Sequence, residues 1–111
     1  MAGTIKRTFG PLALTTTYTT NIYNNASALI YDVIRHIHVA NKLAADTFRL
    51  YLGATGANAA GTELFFDYPV GAKLAVDFYM AMKLVSTDFL VGGAATTLTL
   101  VIEGEGEQYA V

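Results

Sequence analysis

The chain contains no cysteine and no tryptophan, and only two of its 111 residues are proline. Without a thiol there is no disulfide, no zinc–thiolate site and no cysteine nucleophile. Charge is scarce as well. Seven Lys and Arg stand against nine Asp and Glu, 14% of the chain with a formal net charge of −2, where an average soluble domain carries roughly 25% charged residues. The few cations are scattered, which excludes the basic patch of a nucleic-acid binder. The best apolar run, Phe78 to Val85, is short and carries Lys83, so no membrane span is expected. Lys6 and Arg7 are followed by Thr8, Phe9, Gly10 and Pro11 rather than an apolar run, and no signal peptide is expected.

Hydrophobic residues make up 53% of the chain. A charge-poor, apolar-rich chain long enough for one domain is expected to bury part of its surface in an oligomer or on a larger assembly. The longest run of β-branched and aromatic residues is Ala28 to Asn41. As one strand it places Leu29, Tyr31, Val33, Arg35, Ile37 and Val39 on one side and Ile30, Asp32, Ile34, His36 and His38 on the other. Both sides are partly apolar, which predicts that both are covered.

Other strands read around it. Leu12 to Thr20 is threonine-rich and suits a first strand. Thr47 to Gly53 alternates with Phe48, Leu50 and Leu52 inward and Thr47, Arg49 and Tyr51 outward. Glu63 to Tyr68, Leu74 to Leu84 and Thr96 to Glu103 follow, with Leu98, Leu100 and Ile102 sharing a face of the last. Asn41 to Asp46 is a short connection with helix-forming residues, Gly53 to Gly61 a loop with little side chain to anchor it, and Asp88 to Val91 followed by Gly92-Gly93 a short strand or turn. Gln108 to Val111 can add an edge pairing. The expected fold is an all-β antiparallel β-sandwich, jelly-roll-like, of seven or eight short strands. Residues 1–11 read as an extended N-terminal arm and 12–111 as the single sandwich domain.

The chemistry-bearing residues are few. His36 and His38, at i and i+2, can present two imidazoles to one ion. Neither a further histidine nor the glutamate that cupin jelly rolls place a few residues later follows them, so no metal and no cofactor is expected. The pair then reads as part of a contact face, bonded to Asp32 or to a neighbouring subunit. Gly56 to Gly61 lacks the lysine of a phosphate loop. Ser86, Asp88 and the histidines have no nucleophile elbow to organise them, and no catalytic residue is expected. Glu103, Glu105 and Glu107 alternate with Gly104 and Gly106, which in an extended chain sets three carboxylates on one side, as edge protection or as a strip for a basic partner. The seven tyrosines suit either a sugar platform or a protein interface. Candidate partner-binding residues are Lys6, Arg7, His36, His38, Glu103, Glu105 and Glu107.

Four segments, Leu14 to Tyr18 (LTTTY), Ile34 to Asn41 (IRHIHVAN), Thr47 to Gly53 (TFRLYLG) and Thr97 to Gly104 (TLTLVIEG), carry a resemblance. In this order the chain resembles the β-sandwich accessory proteins of tailed-bacteriophage virions, in particular capsid decoration or minor capsid proteins of phages of actinobacteria. The resemblance implies a non-enzymatic virion protein on the outer capsid surface, a homotrimer bound to the major capsid protein. Neck or tail accessory protein, or a carbohydrate-binding module on the particle, are its alternatives.

Overall fold

The computed structural model describes residues 3–111. Eight strands run in chain order: β1 Thr4–Ala13, β2 Thr20–Tyr23, β3 Ile30–Asn41, β4 Asp46–Gly53, β5 Glu63–Val70, β6 Ala75–Leu84, β7 Phe89–Ala94 and β8 Leu100–Ala110. They form two four-stranded sheets, β1-β8-β3-β6 and β2-β7-β4-β5, with every pairing antiparallel. Successive strands alternate between the sheets for most of the chain, which is the jelly-roll arrangement. The two inner faces meet in one core. Ile34, Ile37, Val39, Leu100 and Ile102 come from the first sheet, Phe48, Leu50, Leu90 and Ala94 from the second, and all are fully buried. Among the described residues no helix is long and apolar enough to cross a membrane.

The long strand β3 does not keep one phase. Its pairing with β8 matches Ile34 to Gly106 and His36 to Glu105, so Arg35 is an extra residue opposite a single partner. This β-bulge inverts the alternation. Asp32 and Ile34 before it, and Ile37, Val39 and Asn41 after it, all face the core. The mixture on both sides of the run is therefore one apolar face read through a phase change, and it gives no reason to cover the second side.

The threonine-rich segment is not the first strand. Residues 4–11, expected as an arm, begin β1, which pairs along β8 from Thr4↔Gln108 to Ala13↔Val101 and buries Phe9 in the core. Part of the expected arm, residues 1 and 2, lies outside the described residues. Leu14 to Thr19 instead crosses between the sheets. Leu14 bonds Leu100 and Leu98 on one side, while the Thr15 carbonyl accepts from Ala94 on the other. The threonine hydroxyls turn to the local chain, with Thr20 Oγ1 donating to the Thr17 carbonyl at 2.9 Å, which competes with strand pairing.

Other expectations shift in the same way. The 41–46 connection contains no helix. Of the strand and the turn open for residues 88–93, the structure forms the strand, β7, in which a Cβ at Gly92 or Gly93 would strike the backbone of Arg49 or Thr15. Leu98 is exposed with a positive φ in the turn before β8, so it does not share the face of Leu100 and Ile102. Tyr51 is buried although it points away from the core side. Asn21, Val91 and Tyr51 are aligned across the second sheet. The 54–62 loop is tied over that row by Asn21, which donates to Thr55 Oγ1 at 3.0 Å and accepts from the Gly56 amide at 2.7 Å.

Candidate functional site

The outer face of the first sheet carries most of the candidate residues. On β8 the alternation puts Gly104 and Gly106 inward and Glu103, Glu105 and Glu107 outward. The glycines are required by what lies beneath. A Cβ on Gly106 would sit 2.0 Å from the Val33 carbonyl at the bulge, and one on Gly104 would enter the Phe9 ring. The carboxylates do not protect an edge, because β8 is paired on both sides, to β1 and to β3.

The bulge gives β3 two consecutive outward residues, Arg35 and His36, facing these carboxylates. Arg35 Nε donates to Glu107 Oε1 at 3.0 Å, and the Tyr109 hydroxyl donates to the same carboxylate. The Tyr109 bond first and the Arg35 bond second hold the Glu107 carboxyl below the usual carboxylate range. His36 lies between two acids. Its Nδ1 is 2.9 Å from Glu105 Oε1 and its Nε2 2.7 Å from Asp77 Oδ1. Ionised carboxylates only accept, so the arrangement favours the doubly protonated ring, in which both nitrogens donate. The bond to Glu105, then that to Asp77, raises the His36 pKa above the ordinary value. Tyr79 of β6 stacks on the same ring at 4.7 Å between centroids.

His38 follows on the same side, its Nδ1 donating to Asp77 Oδ1 at 2.7 Å. Asp77 is the β6 residue directly paired with His38, and its carboxyl is held below the usual range by the bonds from His38 and His36. One oxygen thus receives both imidazoles. The third group missing after His38 in the sequence comes from a strand about forty residues away, a distance that no spacing rule on β3 could reveal. Tyr79 was missed for the same reason.

Asp32, expected as a partner for the histidines, is on the other side of the sheet. The bulge separates them. Asp32 is fully buried and accepts from Tyr23 at 2.5 Å, Asn25 at 3.1 Å and Gln108 at 3.3 Å. Lys6 belongs to this inner cluster, with Nζ 3.3 Å from the Tyr23 hydroxyl and 3.5 Å from Asp32. Of the seven candidate residues, Arg7, His36, His38, Glu103, Glu105 and Glu107 share the outer face and Lys6 does not.

Two shallow depressions cross this face. One of about 160 Å³ is lined by Arg7, His36, Glu103, Gly104 and Glu105. The other, of about 280 Å³, lies toward Ile5, Arg35 and Glu107. Both fall below the roughly 300–1,000 Å³ of sites that enclose small molecules, so the face suits contact with a surface or an ion. Ser86 and Asp88 close the β6–β7 turn, where Asp88 accepts from the Val85 amide at 2.9 Å, and they form no set with the histidines. The tyrosines are dispersed: Tyr31 stacks on Tyr109, Tyr18 covers Arg49, Tyr23 serves Asp32 and Tyr51 is buried. Comparison of the chain with protein-family models, with curated proteins and with solved structures finds no match.

Proposed function

We propose that this protein is a non-enzymatic structural component of a tailed-phage virion, a capsid decoration protein that binds the outer shell as a homotrimer and stabilises contacts between capsomers. The observation that carries the reading is the open flank of the sandwich between β5 and β6, the edge strands of the two sheets. Along β6 every inward side chain from Val76 to Met82 is only half-buried. Across from it, Phe65 packs on Phe48 and Phe78 at 5.4 and 4.4 Å. Tyr68 remains 37% exposed, and the apolar surface continues around β5 to its outer side, where Leu64 is 38% and Phe66 58% exposed, with Phe66 stacked on Arg49. An apolar strip of this kind marks a protein contact.

Edge strands also invite pairing with other strands, and on β5 that route is blunted. Pro69 and a positive φ at Asp67 interrupt β5. Side-chain packing is therefore the contact that the β5 side of the flank offers, and we assign it to neighbouring copies of the chain, as a closed ring requires. The virion setting is supported by the four segments that resemble phage accessory proteins, and jelly rolls serve as capsid domains elsewhere.

Densitometry of purified virions tests the proposal. A decoration protein reaches a copy number comparable to that of the major capsid protein. A handful of copies per particle refutes shell decoration and favours a neck or tail position.

A further inference from the structure

The geometry points to a metal-binding site on the outer face of the first sheet, in which His36 Nε2, His38 Nδ1 and the Asp77 carboxylate hold one divalent late transition cation of the zinc type. The ligand atoms already converge, lying within 4.8 Å of one another. Zinc bonds of roughly 2.0–2.2 Å need ligand atoms a little over 3 Å apart in a tetrahedron. The atoms now stand 2.7 Å apart as hydrogen-bonded pairs on Asp77 Oδ1, so a small rotation of one carboxylate opens the required space.

The backbone supports this set. His36 and His38 sit two residues apart on the strand at the centre of the sheet's pairing, and Asp77 is locked in register opposite His38. None of the three is on a loop. Glu105 completes the arrangement from the other neighbouring strand. By accepting from Nδ1 of His36 it leaves Nε2 as the nitrogen that binds metal, the carboxylate–histidine–metal order found around bound zinc. Tyr79 stacked on His36 fixes the ring plane from β6.

When the ion enters, Nε2 of His36 gives its hydrogen to solvent and its lone pair to the metal. The hydrogen of His38 moves to Nε2, which frees Nδ1. Two imidazoles and a single carboxylate favour zinc, nickel, copper or cobalt over calcium or magnesium, which require a shell of oxygens. Three protein ligands leave a fourth position open toward solvent.

Titration calorimetry of the full chain with zinc chloride, after treatment with chelator, tests the site. The expected result is saturable binding of one ion per chain, with cobalt giving the strong visible absorption of tetrahedral coordination and calcium failing to compete. E105Q should weaken zinc by about tenfold, the lower end of the effect of removing an orienting carboxylate. H38Q and D77N should weaken it further, while D67N on the other sheet binds as the wild type does. Circular dichroism of each variant without metal confirms that it is folded. Absence of saturable binding, affinity unchanged in both H38Q and D77N, or equal competition by calcium would each overturn the proposal.

Discussion

The two flanks of the sandwich are built from similar residues and finished differently. At one, β1 and β2 close the gap between the sheets: Phe9 is 6% exposed and lies 6.1 Å from Tyr23, and Tyr23 reaches the buried Asp32. At the other, β5 and β6 leave Phe65, Phe78, Met80 and Met82 half-covered. The closed flank ties Tyr23 and Lys6 to the buried Asp32 and buries Phe9 within the chain, leaving the buried Thr8 hydroxyl without a partner among the described residues. The open flank has a comparable supply of apolar side chains and nothing of the chain laid over them. Folding stability should therefore reside mainly in the first flank and association in the second.

The largest effect is expected at the closed flank. Phe9→Ala removes a buried ring and should lower stability by about 3–5 kcal/mol, measured by urea unfolding. A loss no greater than that of an exposed residue would erase the contrast.

Next comes Tyr23. Its removal as Tyr23→Phe takes the closest donor from a fully buried carboxylate and should cost about 1–3 kcal/mol. Burial, and then the bond to Asp32, push the Tyr23 phenol far above its ordinary value. The unfolded chain releases this proton near pH 10 while the folded chain keeps it. The contribution is thus complete below about pH 10 and declines as the pH rises beyond it. Melting temperatures measured from neutral to alkaline pH should show that decline, and Y23F should flatten it. An equally steep fall in the variant would assign it to other groups.

Smallest is the open flank. The double variant L64K/F66S should change the stability of the isolated chain by about 0.5 kcal/mol per site, since Leu64 is 38% and Phe66 58% exposed on the outer side of β5. A loss approaching that of Phe9→Ala would show that the flank belongs to the core.

Much of this architecture was legible in the sequence. Alternation in Leu74 to Leu84 and in Thr47 to Leu50 marked real strands, because each keeps one face on the core along its own length. The Glu-Gly alternation of 103–107 likewise placed three carboxylates together. What was hidden depends on single residues and distant partners. The bulge at Arg35 inverts β3, and no residue type in IRHIHVAN announces it; the signal is Gly106 on another strand, the only residue that fits against the Val33 carbonyl. Once the phase is inverted, Asp32 goes inward and the histidines outward. Asp77 then completes a cluster that appeared to have two members. The arm was misread because residues 4–11 have little period of their own and take their extended form from pairing with β8.

The mass of the protein in solution tests the open flank most directly. Light scattering at low micromolar concentration should give three times the 11.9 kDa of one chain, and L64K/F66S should reduce it to a single chain while its melting temperature stays close to that of the wild type. A wild-type protein that remains monomeric, or a variant that remains trimeric, would contradict the account.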